Sequence, residues 1–178
     1  TIDGSAGAQN STLTWASLTG NAGSMLNVTG TFGSATNKLL FTTAPTLSPA
    51  TVGILPRVIA SGSEWASYNT TTGLTPFSGY SVQTDISSAG TSEIYQATPL
   101  NANTVPTSQA LVALTLSGDA ISVDAVSGLS PTTLTLSAGA ILNKGGSNTL
   151  DVPVIALRSE EHTSELQSRQ YLVCRLLL

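Results

Sequence analysis

Residues 113–124, ALTLSGDAISVD, and residues 133–144, TLTLSAGAILNK, are two copies of one phrase set twenty positions apart. They align without a gap, and six of the twelve positions are identical: Leu114 with Leu134, Thr115 with Thr135, Leu116 with Leu136, Ser117 with Ser137, Ala120 with Ala140 and Ile121 with Ile141. Alternating Leu and Thr is the period-two pattern of a half-buried strand, with leucines inward and threonines toward water. Twenty residues is about one coil of a β-solenoid, in which each repeat buries its apolar face only by stacking on its neighbours. The expected stack sets Leu114 beside Leu134 and Ile121 beside Ile141, with Thr115 and Thr135 in solvent. A third coil is expected from Pro153, with Val154 and Ala156 opposite Leu134 and Leu136.

Toward the N-terminus a second spacing runs at thirteen residues. STLTWASLTGNAG, SMLNVTGTFGSAT and NKLLFTTAPTLSP follow one another through residues 11–49, which aligns Leu13, Leu26 and Leu39, and likewise Trp15, Val28 and Phe41. Each unit reads as one strand plus one turn, so that two units close one irregular coil; a β-meander is the alternative. Further short strands are expected near 51–55, 57–60, 80–84 and 148–152, separated by Gly, Pro, Asn and Asp. No stretch of ten or more residues carries helical periodicity.

Composition narrows the function classes. Residues 158–178, RSEEHTSELQSRQYLVCRLLL, resemble the in-frame translation of a sequencing adapter and are expected to be no part of the fold, which leaves 1–157 as one solenoid domain. The only histidine, His162, and the only cysteine, Cys174, belong to that tail. The body carries three cations, Lys38, Arg57 and Lys144, against seven acids. Nucleic-acid binding needs clustered cations to displace counterions from phosphates, so it is not expected. Zinc sites and a Ser-His-Asp mechanism lack their usual groups. No metal site and no cofactor are expected, and no run approaches the roughly 20 apolar residues of a membrane helix. Ser and Thr together make up 50 of 178 residues, a composition that suits strands and tight turns.

Between residues 61 and 109 the regularity fails and the aromatics gather: Trp65, Tyr68, Phe77, Tyr80 and Tyr95 are five of the nine in the chain. Rings in an irregular excursion from a solenoid have two readings. They seal the small core of a loop folded back on the coil, or they stack on a sugar. Trp65, Tyr68 and Tyr80 are the candidate ligand-binding residues.

The same region carries a family resemblance. ATNKLLFTTAP (35–45), GILPRVIASGSEWASYNTTTGLTPFSGY (53–80) and TLTLSAGAILNKGGSNTL (133–150) are similar to the β-strand-repeat passenger regions of bacterial autotransporter-like surface proteins. There a Trp-Ala-Ser/Thr-Tyr phrase, here Trp65 to Tyr68, precedes an irregular stretch and then Leu-Thr-Leu strands with Gly-Gly-Ile-Leu turns, here Gly139-Ala140-Ile141-Leu142. The resemblance implies an all-β fold, a right-handed parallel β-helix, exported to the bacterial cell surface or outside the cell. It brings no catalytic residues with it.

Asp119 and Asp124, five apart, are the pair to weigh for glycoside or uronate cleavage. The next repeat has Gly139 and Lys144 at those places, so turn and surface roles fit them better. The expected function is therefore a non-catalytic structural or adhesive passenger or stem segment. Its expected partners are a surface polysaccharide or a host or neighbouring cell surface, with further coils of the same chain at both ends. The alternatives are a fragment of a β-helix polysaccharide lyase or hydrolase, and a phage or viral fibre segment.

Overall fold

The structure is a computed structural model that describes residues 10–20, 24–50, 53–128 and 131–157. The adapter-like segment 158–178 lies outside the described residues. The fold is all-β, with one 3-10 turn at Ile86–Ser88 among the described residues. The strands are β1 (Ser11–Trp15), β2 (Leu26–Val28), β3 (Asn37–Phe41), β4 (Leu55–Ala60), β5 (Glu64–Asn69), β6 (Gly73–Pro76), β7 (Ile94–Ala97), β8 (Thr104–Val105), β9 (Gln109–Leu116), β10 (Ser122–Ala125), β11 (Thr133–Asn143), β12 (Thr149–Asp151) and β13 (Val154–Leu157).

From β7 onward the chain alternates between two parallel sheets. Odd-numbered strands build one, in the order β13-β11-β9-β7, and even-numbered strands build the other, β12-β10-β8. Between them lies a core of Tyr95, Leu111, Leu114, Leu116, Ile121, Val123, Leu134 and Leu136 with their buried neighbours. The stacking offset is nineteen where Ile94 lies beside Ala113, twenty where Thr104 lies beside Asp124, and twenty-one where Thr133 lies beside Val154. Between β9 and β11, the strands that carry the two copied phrases, the offset is instead twenty-five where Leu111 lies beside Leu136 and twenty-seven where Ala113 lies beside Ala140, so the coils of this solenoid-like arrangement are unequal in length.

The register between the two copied phrases differs from the expected one. Leu136 lies beside Leu111 and Ile141 beside Leu114, so Leu114 does not face Leu134 and Ile121 does not face Ile141. The reason lies at Gly118-Asp119 and Ala138-Gly139, which the copies do not share, and in the different backbone that the shared alanine, Ala120 or Ala140, then takes. In the first copy Gly118 (φ 133°) and Ala120 (φ 56°) turn the chain out of the sheet. The turn is fixed when Asn148 Oδ1 accepts from the Ile121 N–H at 2.8 Å and Asp119 Oδ1 accepts from the Gly146 N–H at 2.5 Å. In the second copy the strand runs on to Asn143 and absorbs its extra residues in a bulge between Leu136 and Ala140, where Gly139 takes φ 61°. The third coil forms as β13, one residue out of the expected register: Leu134 faces Ile155 and Thr133 faces Val154. A slip of one residue exchanges faces, so Ile155 joins the core and Val154 is exposed.

At the N-terminal end β1 pairs parallel with β3, Leu13 beside Leu39 and Trp15 beside Phe41. Two thirteen-residue units do close one turn of chain there. The intermediate strand β2 goes to the far edge of the same sheet, where Leu26 lies beside Val58 of β4. This curled six-stranded sheet has the order β1-β3-β6-β5-β4-β2, and β4, β5 and β6 form an antiparallel meander inside it. The irregular excursion expected over 61–109 is therefore much shorter, because 64–76 is paired sheet and β7 and β8 already belong to the stack. Ser61 (φ 56°) and Gly62 (φ 79°) supply the positive φ angles of a tight hairpin turn between β4 and β5. The strand expected at 80–84 is reduced to a single parallel bridge from Ser81 to Tyr95.

Candidate functional site

The meander lies against the face of the β9–β11 sheet that points away from the solenoid core. Trp65, Ile54, Ile59 and Phe77 pack there on Val112, Ala113, Ala138 and Ala140 as a second apolar cluster. This covering reverses the expectation for Thr115: instead of facing water it is completely buried, and its Oγ1 accepts a hydrogen bond from Trp65 Nε1 at 3.0 Å. The two sides of β9 are thereby both dry. Thr135, on β11, is half-buried.

The three candidate aromatics separate by strand periodicity. On β5, Trp65 points to the second cluster, whereas Ala66 and Tyr68 belong to a third, with Leu39, Phe41 and Leu74. Trp65 is 1% exposed. The Tyr68 ring packs on Phe41 at 5.6 Å, and its hydroxyl accepts from the Phe41 N–H at 3.1 Å and donates to the Phe41 carbonyl at 3.3 Å. Tyr80 sits near Trp65, edge-on to Phe77 at 5.0 Å. Its hydroxyl donates to Glu64 Oε2 at 2.8 Å and accepts, at 3.4 Å, from the Trp65 backbone N–H. Burial first, and then the hydrogen bond to the Glu64 carboxylate, holds this hydroxyl far above the ordinary tyrosine range. Lys144, at the end of β11, completes the group: its Nζ lies 2.5 Å from Glu64 Oε1 and 5.2 Å from the centre of the Tyr80 ring. Trp65 and Tyr80 are thus brought together and Tyr68 is set apart from them.

The carboxylates weighed for glycan cleavage occupy turn and strand positions. Asp119 is exposed and caps the Gly146 N–H, and Asp124 Oδ1 accepts from Ser122 Oγ at 2.7 Å. A relationship that spacing in the sequence did not suggest is the register of Asp124 beside Asp151 on β12, twenty-seven residues on. Strand pairing alone reveals it. Among the described residues no group of three or more His, Cys, Asp and Glu side chains could hold a metal ion. No helix among them is long and apolar enough to cross a membrane.

One cleft of about 250 Å³ opens beside the second cluster, lined by Ser24, Met25, Pro56, Arg57 and Trp65 on one side and by Gly139, Ala140 and Ile141 on the other. Both walls are places where strand pairing breaks register. In β4 the irregularity falls between Leu55 and Ile59, and in β11 between Leu136 and Ala140. Compared with known proteins, the chain matches no family model, no curated protein and no solved structure.

Proposed function

We propose that the chain is a stretch of right-handed parallel β-helix serving as a structural or adhesive stem or passenger segment of an exported bacterial surface protein, without catalytic turnover. The observation that carries the reading is the parallel stacking of β7, β9, β11 and β13, row on row, at offsets of nineteen to twenty-seven residues. Stacked coils transmit load along the stack and can be extended without a new core. Outward positions such as Ser122 and Thr149 are short and polar, and suit a surface that touches glycans through many weak contacts.

A second reading is a segment of a β-helix polysaccharide lyase or hydrolase, favoured by the Asp124–Asp151 register. Neighbouring strands lie about 4.8 Å apart, close to the roughly 5–5.5 Å between the carboxyls of a retaining glycosidase. The deciding experiment incubates the full chain with immobilised plant and microbial polysaccharides and reads both retention and soluble product. Retention without products supports the adhesive segment. Sugar release abolished by Asp124→Asn or Asp151→Asn replaces it with the enzyme, and neither retention nor release removes the adhesive part of the reading.

A further inference from the structure

Three Asn-X-Ser/Thr triplets, the acceptor pattern for N-linked sugar, occur in the chain: Asn10-Ser11-Thr12, Asn27-Val28-Thr29 and Asn69-Thr70-Thr71. The fold treats them differently. In the first, Ser11 and Thr12 belong to β1 and lie beside Asn37 and Lys38 of β3; in the second, Asn27 and Val28 belong to β2 and lie beside Ile59 and Ala60 of β4. A transferase has to lay the main chain of the whole triplet into its own site, so a triplet tied into a strand row is closed to it. In the third, Thr70 and Thr71 lie outside every strand, in the turn from β5 to β6, and Asn69, Thr70 and Thr71 are all exposed.

The turn also fixes how Asn69 is presented. Its Oδ1 accepts from the Thr71 N–H at 2.7 Å and from the Thr72 N–H at 3.3 Å, the bond by which an asparagine closes a turn on its own main chain. Gly73, beside Asn69 in the ladder, takes φ 82° and lies so close to β3 that a side-chain carbon there would meet the Leu39 carbonyl oxygen. The hairpin end is thereby seated on β3 while its tip stays in water. With Oδ1 tied back, Nδ2 is left to solvent, and it donates to no group among the described residues. The two N–H donors also draw electron density toward Oδ1, which makes a proton on Nδ2 easier to remove.

We propose that Asn69 is an N-glycosylation acceptor in the folded protein, modified by a transferase that reads Asn-X-Ser/Thr and takes a phosphate-linked sugar as donor. Nδ2 attacks the anomeric carbon of the donor and the new N–C bond forms. The bond from that carbon to the phosphate oxygen breaks, its electron pair leaves with the phosphate, and the proton from Nδ2 passes to a base of the transferase. The fold tolerates a bulky polar group at this tip, because none of Asn69, Thr70 and Thr71 belongs to an apolar cluster. The site stands on the geometry of the β5–β6 turn, and holds whether or not the chain is a surface stem.

The test incubates the folded full chain with UDP-glucose and a soluble glucosyltransferase specific for Asn-X-Ser/Thr, and reads hexose incorporation by intact mass and peptide mapping. Short peptides carrying each triplet serve as the unfolded control. One hexose per folded chain is expected, on Asn69, whereas all three peptides accept. Asn69→Asp keeps the oxygen that closes the turn and lacks the nitrogen, so it is expected to retain the melting temperature and lose the modification. Thr71→Ala is expected to lose it as well, and Thr71→Ser to keep it. The proposal is overturned if the folded chain takes no sugar, if Asn10 or Asn27 is modified as readily as Asn69, or if the modification survives Asn69→Asp or Thr71→Ala.

Discussion

Trp65 Nε1 donates to Thr115 Oγ1 across 3.0 Å, joining two fully buried residues fifty positions apart in the chain. This one contact decides the fate of the Leu-Thr alternation in β9. The threonine hydroxyl is acceptable in a dry interface only because an indole N–H requires an acceptor there, and the indole is acceptable only because Thr115 supplies one.

Thr115→Val keeps the shape and removes the acceptor, which leaves the indole N–H buried and unpaired. The expected loss is about 1–3 kcal/mol in denaturant unfolding. Thr115→Ser, which retains the hydroxyl, should lose less, and Thr135→Val, at a half-buried place on β11, should stay near the wild type. Equal effects at 115 and 135 would contradict the covered face.

Leu134 is fully buried between the two parallel sheets. Leu134→Ala should cost about 2–5 kcal/mol through lost transfer and the cavity left behind. Val154→Ala, at a side chain 41% exposed, should cost far less, which would check by calorimetric melting that β13 is set with Ile155 inward.

The Lys144–Glu64 pair fastens the end of β11 to the start of β5, with both side chains mostly covered. A double-mutant cycle with Lys144→Met and Glu64→Gln should give a coupling of about 0.5–3 kcal/mol, above the usual 0–1 kcal/mol of an exposed pair. Because the two ends belong to different sheets, hydrogen exchange in β5 should quicken in Lys144→Met. Unchanged exchange there would show that apolar packing alone holds the meander down.

Alkaline pH supplies a further test. Burial, aided by the nearby Asp85 carboxylate, pushes the Tyr95 hydroxyl up to about 12, whereas in the unfolded chain it titrates near 10. Between those values the unfolded state has lost the proton that the folded state keeps, so the contribution of Tyr95 to stability is whole below about pH 10 and is lost as pH rises toward 12. Tyr80 works in the same direction. The slope of unfolding free energy against pH in this window should flatten in Tyr95→Phe, and more so in the double variant with Tyr80→Phe.

The all-β class and the parallel stacking of strands were legible because period-two alternation and repetition are local properties of the chain, whereas the coil length read from the copied phrases was not, since β9 and β11 stack at twenty-five to twenty-seven residues and not at twenty. The pairing of Leu13 with Leu39 was legible for the same reason, through two thirteen-residue units. What escaped was set by non-local contact. The Leu-Thr-Leu-Ser phrase gives a turn at 117–121 and a continuing strand at 137–143, because Gly118-Asp119 and Ala138-Gly139 meet different neighbours. The meander strands β5 and β6 looked irregular because their residues face two cores in alternation, Trp65 into one and Ala66 and Tyr68 into another, which erases the polar-apolar rhythm of an exposed strand. Of the candidate site, the aromatic cluster could be seen in the sequence; the cleft beside it depends on two bulges and could not.

The unequal stacking offsets of nineteen to twenty-seven have an engineering consequence. Strand rows keep their partners while the connections between them vary in length, and β11 takes up its extra residues within the row only at the bulge between Leu136 and Ala140, so length is freer in the turns than in the rows. At Gly128, an added side-chain carbon meets nothing within 4 Å and the flanking Val126 and Ser127 are exposed. A loop or tag spliced there would lengthen the connection from β10 to β11, the longest between strands of the stack from β7 to β13, and leave both sheets in register. One residue inserted in β9 would turn every side chain beyond it to the opposite core.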